Sequence, residues 1–352
     1  MIEFDAAAGP GLHPGFENRL VEQLQPIRGF ALAASLYHLF DLGIAAALTD
    51  GPAQPISGLA DRLGLDATRL TGFLLFLQVE GYVRVDGDTV GPLAKLSALR
   101  EAWPWYEMLI GGYAQTYLDM GKGLRAGSGA LSRNGTLVGS GSCKISRYDA
   151  IPLTRALLDR LPQPPAKVID LGCGNALYLK ELCSLFPDLT AIGVEPDYGS
   201  HSQSVASTRR SALDERIILY HSTAQAFVDS THERDADVLI IAFVLQEILG
   251  QDGRDGAKRF LQQVAAKFPG AHLVVIEVDD KAADTAAMRH PLAQAYYNPY
   301  YLVHYFTDQL LERRDYWIEL FEEAGFELLA QSTTSVDVDS TGFELGFLLK
   351  CT

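Results

Sequence analysis

The 352-residue sequence predicts an α/β protein, with a parallel, doubly wound sheet placed behind a mainly helical N-terminal region. Three observations predict it. After Pro165, short apolar runs alternate with helical segments; the first of these runs ends in the glycine-rich turn Asp170-Leu171-Gly172-Cys173-Gly174-Asn175; and the stretch from Pro26 to Ala126 shows helical spacing instead. Since a domain takes about 100–200 residues, the length suits two. We expect a helical domain over 1–126, a linker and loop over 127–164, and the sheet domain over 165–352.

The N-terminal region contains a small unit between Ile56 and Leu93. Ser57 to Leu63 reads as a short helix, Gly64 as its left-handed stop, and Asp66 as the N-cap of a second helix running to Glu80. Gly81 to Val90 then alternates around a glycine-containing turn, as a two-stranded wing does. This pattern predicts a winged helix. Its second helix carries one basic residue, Arg69, among Leu70, Phe73, Leu74, Phe76 and Leu77, whereas a helix that reads a DNA groove needs several cations and polar contacts. Dimerisation is the expected role.

The glycine- and serine-rich stretch Gly127 to Gly135 reads as a loop joining the two regions. Beyond it, strands are predicted at Lys167–Leu171, Leu189–Val194, Ile217–Tyr220, Asp237–Ala242 and His272–Val278. Asp315 to Ala324 reads as an amphipathic helix stopped by Gly325, and Phe326–Thr333 with Gly342–Cys351 reads as two further strands. These make seven strands in all.

Composition narrows the function. With 48% hydrophobic and 21% charged residues and a mean hydropathy of +0.05, the chain has an ordinary globular make-up with enough apolar surface for a subunit interface. No apolar run reaches the roughly 18–20 residues of a membrane span, and Met1-Ile2-Glu3-Phe4-Asp5 lacks the basic start of a secretory signal. A cytoplasmic protein without membrane partners is therefore expected. Cys143, Cys173, Cys183 and Cys351 form no CxxC pair, which argues against a disulfide framework or a thiolate zinc site. A net charge of −15 and a pI near 4.9 argue against nucleic acid as a partner.

The turn at Asp170 follows a strand and opens a helix, so Gly172 and Gly174 let the backbone pass close to a ligand at the carboxyl end of the sheet. Glu195, at the end of the next strand, suits both hydroxyls of a ribose. A dinucleotide-binding GxGxxG is not completed, because Gly174 is followed by Asn175, Ala176 and Leu177, and this disfavours an NAD-dependent oxidoreductase. The run VIDLGCGNALYLKEL with LTAIGVEPD resembles the first and second cofactor motifs of class I S-adenosylmethionine-dependent methyltransferases. The resemblance implies a Rossmann-like seven-stranded sheet closed by an antiparallel hairpin. It places Asp170 near the methionine amino end, Glu195 at the ribose, and the adenine by Thr223 and Ala224.

From Pro26 to the end, the chain resembles the winged-helix small-molecule O-methyltransferases, whose members dimerise through the N-terminal region. Where many of them carry a histidine base followed by aspartate, this chain has Gln246-Glu247, and an amide does not accept a proton at neutral pH. Together with Tyr296-Tyr297-Asn298-Pro299-Tyr300-Tyr301-Leu302-Val303-His304, that pair resembles the C-methyltransferases acting on the β-carbon of 2-oxo acids, such as the phenylpyruvate and 2-ketoarginine enzymes. Members of that subgroup hold a metal ion, which polarises the ketone and acidifies the C3 hydrogen. The resemblance implies His304 as imidazole ligand and Gln246 and Glu247 as oxygen donors, with the ion left open between iron, zinc and other divalent ions and Glu247 between ligand and base. Arg133 matches a carboxylate-binding arginine; Arg147 is a second candidate, and His290 a substitute for His304. Trp103, Trp105, Tyr106 and Tyr113 are candidate pocket walls or core.

The expected protein is thus a homodimeric, cytoplasmic enzyme that methylates C3 of a 2-oxo acid with a bound metal ion. The rivals are an O-methyltransferase of a phenolic product using Glu247 or His304 as base, and a ligand-responsive regulator without catalysis.

Overall fold

The computed structural model describes residues 15–49 and 51–351, so the N-terminal reading at Met1 to Asp5 lies outside the described residues. The chain forms two compact units, Met1–Tyr106 and Glu107–Thr352.

In the first unit a long helix, Phe16–Asp41, leads through the helix Ile44–Thr49 to a short strand β1 (Gln54–Pro55) and the helix Ile56–Leu63. Gly64 ends that helix at φ 66°, the left-handed region where a side chain is strained. The carboxylate of Asp66 accepts the amide of Arg69 at 2.8 Å and so caps the helix Ala67–Val79. Strands β2 (Val83–Asp86) and β3 (Thr89–Pro92) form an antiparallel hairpin, and β1 adds a third strand that alternation alone does not reveal. Leu36, Leu39, Leu48, Leu59, Leu74, Leu77 and Val90 are buried together as the core of this unit. The long helix leaves Phe16, Leu20, Val21, Leu24, Ile27 and Phe30 exposed.

The second unit starts earlier than the linker expected at 127. The helix Ala114–Gly123 is held to the C-terminal part of that unit: Tyr113 donates to Gln309 Oε1 at 3.0 Å, and Leu131 N donates to the carbonyl of Phe306 at 2.7 Å. Most of the expected linker is itself helical, as Gly135–Ile145 and Ala150–Leu158. Asn134 and Asp149 cap those two helices.

Strands β4 (Lys167–Leu171), β5 (Thr190–Glu195), β6 (Ile217–His221), β7 (Val238–Ala242) and β8 (His272–Val278) run parallel; β9 (Phe326–Thr333) and β10 (Glu344–Cys351) close the sheet. The order is β6-β5-β4-β7-β8-β10-β9, with β10 antiparallel to both its neighbours. Successive residues of one strand face opposite layers, so Val168, Ile240 and Ile276 pack with Leu153, Leu157 and Leu182 on one side. Ile169, Leu239, Val275 and Phe347 pack with Phe260, Trp317 and Phe321 on the other. Burial on both faces is why the parallel strands read as nearly continuous apolar runs. The strand order reverses between β4 and β7, which opens a crevice at their carboxyl ends. No helix among the described residues is long and apolar enough to cross a membrane.

Phe347 is fully buried, with its ring 5.3 Å from that of Phe321. Phe347→Ala is expected to destabilise the second unit by about 3–5 kcal/mol, read as a lower urea midpoint at unchanged slope.

Candidate active site

A cavity of about 420 Å³ lies at the switch point, walled by the turns after β4 and β7, the helix Gly135–Ile145 and the segment from Tyr296 to His304. Its shape depends on two glycines. Gly172 sits at φ 109°, and a Cβ there would fall 2.3 Å from Val244 Cγ2; Gly174 sits at φ 54°, and a Cβ would fall 2.5 Å from Cys143 Sγ. The amides of Gly172 and Cys173 both donate to the carbonyl of Val194, tying the turn to β5.

Glu195 braces the same turn. Its Oε2 accepts Gly174 N at 2.9 Å and its Oε1 accepts Asp197 N at 2.8 Å. Each carboxylate oxygen keeps a second lone pair, so both can still accept a hydroxyl. Asp170 is buried, and its Oδ2 has no hydrogen-bond partner among the described residues. Burial, then the nearby charge of Glu195, pushes the Asp170 carboxyl up to about 8, and burial pushes Glu195 up to about 7. An ammonium against Asp170 would relieve an orphaned acceptor and a desolvated charge together. Thr223 caps the helix Ala224–Ser230 by accepting Ala226 N, and both Thr223 and Ala224 line the cavity. Asp170, Gly172, Gly174, Glu195, Thr223 and Ala224 therefore all line the cavity, with groups that suit the ammonium, ribose and adenine of the expected cofactor.

Arg133, Gln246, Glu247 and His304 line the same cavity. Gln246 and Glu247 occupy the first turn of the helix Leu245–Lys267, directly after Phe243, which is held at φ 58°. Such strain in a non-glycine residue at the mouth of a cavity requires support from its surroundings. Arg133 Nη2 donates to Glu247 Oε1 at 2.6 Å, and Gln309 Nε2 donates to the same oxygen at 3.3 Å. Arg133 Nη1 also reaches the Tyr113 hydroxyl at 3.5 Å. Glu247 is thus already neutralised by the arginine expected to clamp a substrate.

His304 closes the helix Asn298–His304. Its Nδ1 lies 2.7 Å from the carbonyl of Tyr300, so Nδ1 carries the hydrogen and Nε2 keeps its lone pair. That Nε2 is buried and has no partner among the described residues. Burial, with the charge of Arg133 adding to it, lowers the imidazole to about 4 and keeps it neutral. The Gln246 amide nitrogen donates to the carbonyl of Phe243 at 3.2 Å, and its oxygen accepts the Tyr300 hydroxyl at 3.4 Å.

Gln246, Glu247 and His304 are not arranged as a coordination set: Arg133 and Gln309 bond Glu247 Oε1, Phe243 and Tyr300 bond the Gln246 amide, and His304 Nε2 is the buried atom of the trio left without a partner. Among the described residues no three His, Cys, Asp or Glu side chains converge as a coordination set. Arg147 lies outside the cavity, half exposed and paired with Glu181 at 2.8 Å. His290 also lies outside it, accepting Leu292 N and meeting the Ser340 hydroxyl. Trp103 stacks on Tyr37 and Phe40 within the first unit, while Tyr113 does line the cavity. Sequence reading missed Asp149, Gln309 and Glu344. Of these, only Glu344 carried a signal, as an acid opening an apolar strand.

A methyltransferase-domain family model matches residues 145–331. The chain is 45% identical over 337 residues to the 2-ketoarginine methyltransferase of Streptomyces arginensis, covering 95% of this chain and 97% of that one. Among solved structures, the mitomycin 7-O-methyltransferase superposes with a TM-score of 0.62 at 16% identity, covering 97% of this chain and 100% of that one. An O-methyltransferase of neocarzinostatin biosynthesis, solved with S-adenosylmethionine and 2-hydroxy-5-methyl naphthoic acid, gives 0.60 at 16% identity, covering 92% and 96%.

The free Asp170 carboxyl must ionise to hold a cation, so the affinity for S-adenosylmethionine is expected to rise with pH up to about 8 and then level off. Asp170→Asn should weaken binding by about 10- to 100-fold and flatten that profile, as measured by titration calorimetry.

Proposed function

Starting from the fact that the chain belongs to the S-adenosylmethionine-dependent methyltransferases, we propose that its acceptor is C3 of a 2-oxo acid. The observation that carries this reading is His304: a buried, neutral imidazole whose Nε2 lone pair has no partner, on the cavity wall beside a glutamine that cannot serve as base. The similarity to a protein named 2-ketoarginine methyltransferase supports the same acceptor class.

The substrate carboxylate binds Arg133, which is held by Glu247 and reaches the Tyr113 hydroxyl. Burial is the main cause that depresses His304, and the carboxylate's negative charge offsets the smaller part due to Arg133, which raises imidazole basicity when substrate is present. His304 Nε2 removes a hydrogen from C3 as a proton, and the C–H electron pair becomes the C2=C3 bond of an enolate with its charge on the C2 oxygen. The Tyr300 hydroxyl also lines the cavity and, turned away from Gln246, can donate to that oxygen. The enolate then re-forms the ketone while C3 attacks the methyl carbon; the carbon–sulfur bond breaks, its electrons return to sulfur, and S-adenosylhomocysteine leaves. The proton on His304 passes to solvent. No step is routed through a metal ion, because Gln246, Glu247 and His304 are not arranged as a coordination set.

The exposed apolar residues Phe16, Leu20, Leu24 and Ile27, spaced three or four apart on the first helix, support a homodimer formed through the N-terminal unit. Four free cysteine thiols support a cytoplasmic setting.

The test incubates the enzyme with S-adenosylmethionine and a panel of 2-oxo acids and phenols, with and without a chelator. Methylation of 2-oxo acids at C3, undiminished by chelator, is expected; methylated phenol alone would overturn the reading. His304→Ala should lower kcat by about 10²–10⁴-fold while leaving the affinity for S-adenosylmethionine unchanged. Ile27→Glu is expected to yield monomers in analytical ultracentrifugation.

A further inference from the structure

Beyond Asp170 and Glu195, the same cavity contains a second pair of acids. Asp149, the residue before the helix Ala150–Leu158, and Glu344, the first residue of β10, both line it and are only 7% and 4% exposed. Glu344 pairs with Val278 at the end of β8, which places it at the carboxyl edge of the parallel strands, where ligands of such sheets bind. Asp149 Oδ1 accepts its own helix amide, Ala150 N, at 2.6 Å. Glu344 Oε1 is buried and has no hydrogen-bond partner among the described residues.

Charge balance makes this pair unusual. Among the described residues no lysine, arginine or histidine forms an ion pair with either acid. The one further acid that bears on both, Asp339, is saturated by the Tyr297 hydroxyl at 2.5 Å and by the amide and hydroxyl of Thr341. Burial drives both carboxyls upward, Asp149 to about 7, and the two carboxyls are hydrogen-bonded to each other, so one of them holds a proton while the subsite is empty. Two adjoining buried acids without a counter-charge are costly to ionise together, and a cation placed against them removes that cost. Tyr296 and Tyr297, whose rings lie 4.8 Å apart, line the same part of the cavity and offer faces on which a planar cation can stack.

Building on the 2-oxo acid reading, we infer that Asp149 and Glu344 form a binding subsite for a guanidinium at the far end of the acceptor's side chain, and so select a guanidino 2-oxo acid over neutral ones. A guanidinium presents several N–H donors in a plane, enough for the unpartnered Glu344 Oε1 and for Asp149 at once. An aliphatic or aromatic tail would leave both acids desolvated and unpaired, so the subsite discriminates by penalty as well as by attraction.

The experiment measures kcat/KM on the full-length enzyme for 5-guanidino-2-oxopentanoate, its neutral isostere 2-oxo-5-ureidopentanoate, and 2-oxohexanoate. The guanidino acid is expected to win by roughly 100-fold or more, as for a site built to bond a polar group its competitor lacks. In Glu344→Gln and Asp149→Asn, kcat/KM for the guanidino acid should fall while that for the ureido acid holds or rises, with the dissociation constant for S-adenosylmethionine unchanged as evidence of an intact fold. Equal use of all three acids by the wild type would overturn the subsite and leave C3 methylation standing. Loss of S-adenosylmethionine affinity in Glu344→Gln would also overturn it, assigning the acids to the cofactor. Failure to methylate any 2-oxo acid would instead bring down the reading on which it rests.

Discussion

Charge imbalance inside one cavity is the constraint on which the site depends. Asp149, Asp170, Glu195, Asp197, Glu247 and Glu344 line it, and the single guanidinium among its lining residues is that of Arg133. That cation is already bound to Glu247 at 2.6 Å, so the remaining acids stay uncompensated until a ligand arrives. Desolvation raises several of them well above the ordinary carboxylate range, as expected for charges facing a low-dielectric interior. A cavity of this kind favours positively charged ligands and, through Arg133, leaves one place for an anionic group.

The fold positions these groups by ordinary means. The sheet is covered on both faces, so the chain can open only at strand ends, and the reversal of order between β4 and β7 fixes which ends. Asp170 and Glu195 come from adjacent strands, Gln246 and Glu247 from the helix after β7, and Glu344 from the start of the antiparallel β10. His304 depends on a local device, the i−4 carbonyl of Tyr300, which selects the tautomer and leaves Nε2 without its hydrogen.

Much of this was legible in the sequence because period and spacing encode it. The strand at Lys167–Leu171 and the strand at His272–Val278 occur where the apolar runs placed them, and Gly64, Asp66 and Gly325 end or cap their helices as their residue types require. The boundary at Tyr106 was not legible, since the helix Ala114–Gly123 has the same spacing as the helices before it and is assigned only by long-range bonds such as Tyr113 to Gln309. Nor was the pairing of Arg133 with Glu247, whose residues lie 114 positions apart. Asp149 looks like any cap, and nothing local says that its carboxyl shares a cavity with Glu344. Acidity spread over the whole composition hid the few acids that are buried without partners.

The raised carboxyls near the cofactor also bear on how a turnover ends. Methyl transfer converts a sulfonium into a neutral thioether, so the donor loses a positive charge at the moment of transfer. Asp170 and Glu195, buried at a cost in ionisation, lose part of what offset that cost. The cavity's acids therefore meet less positive charge on the spent cofactor than on the fresh one, which reduces the electrostatic part of its attraction to them.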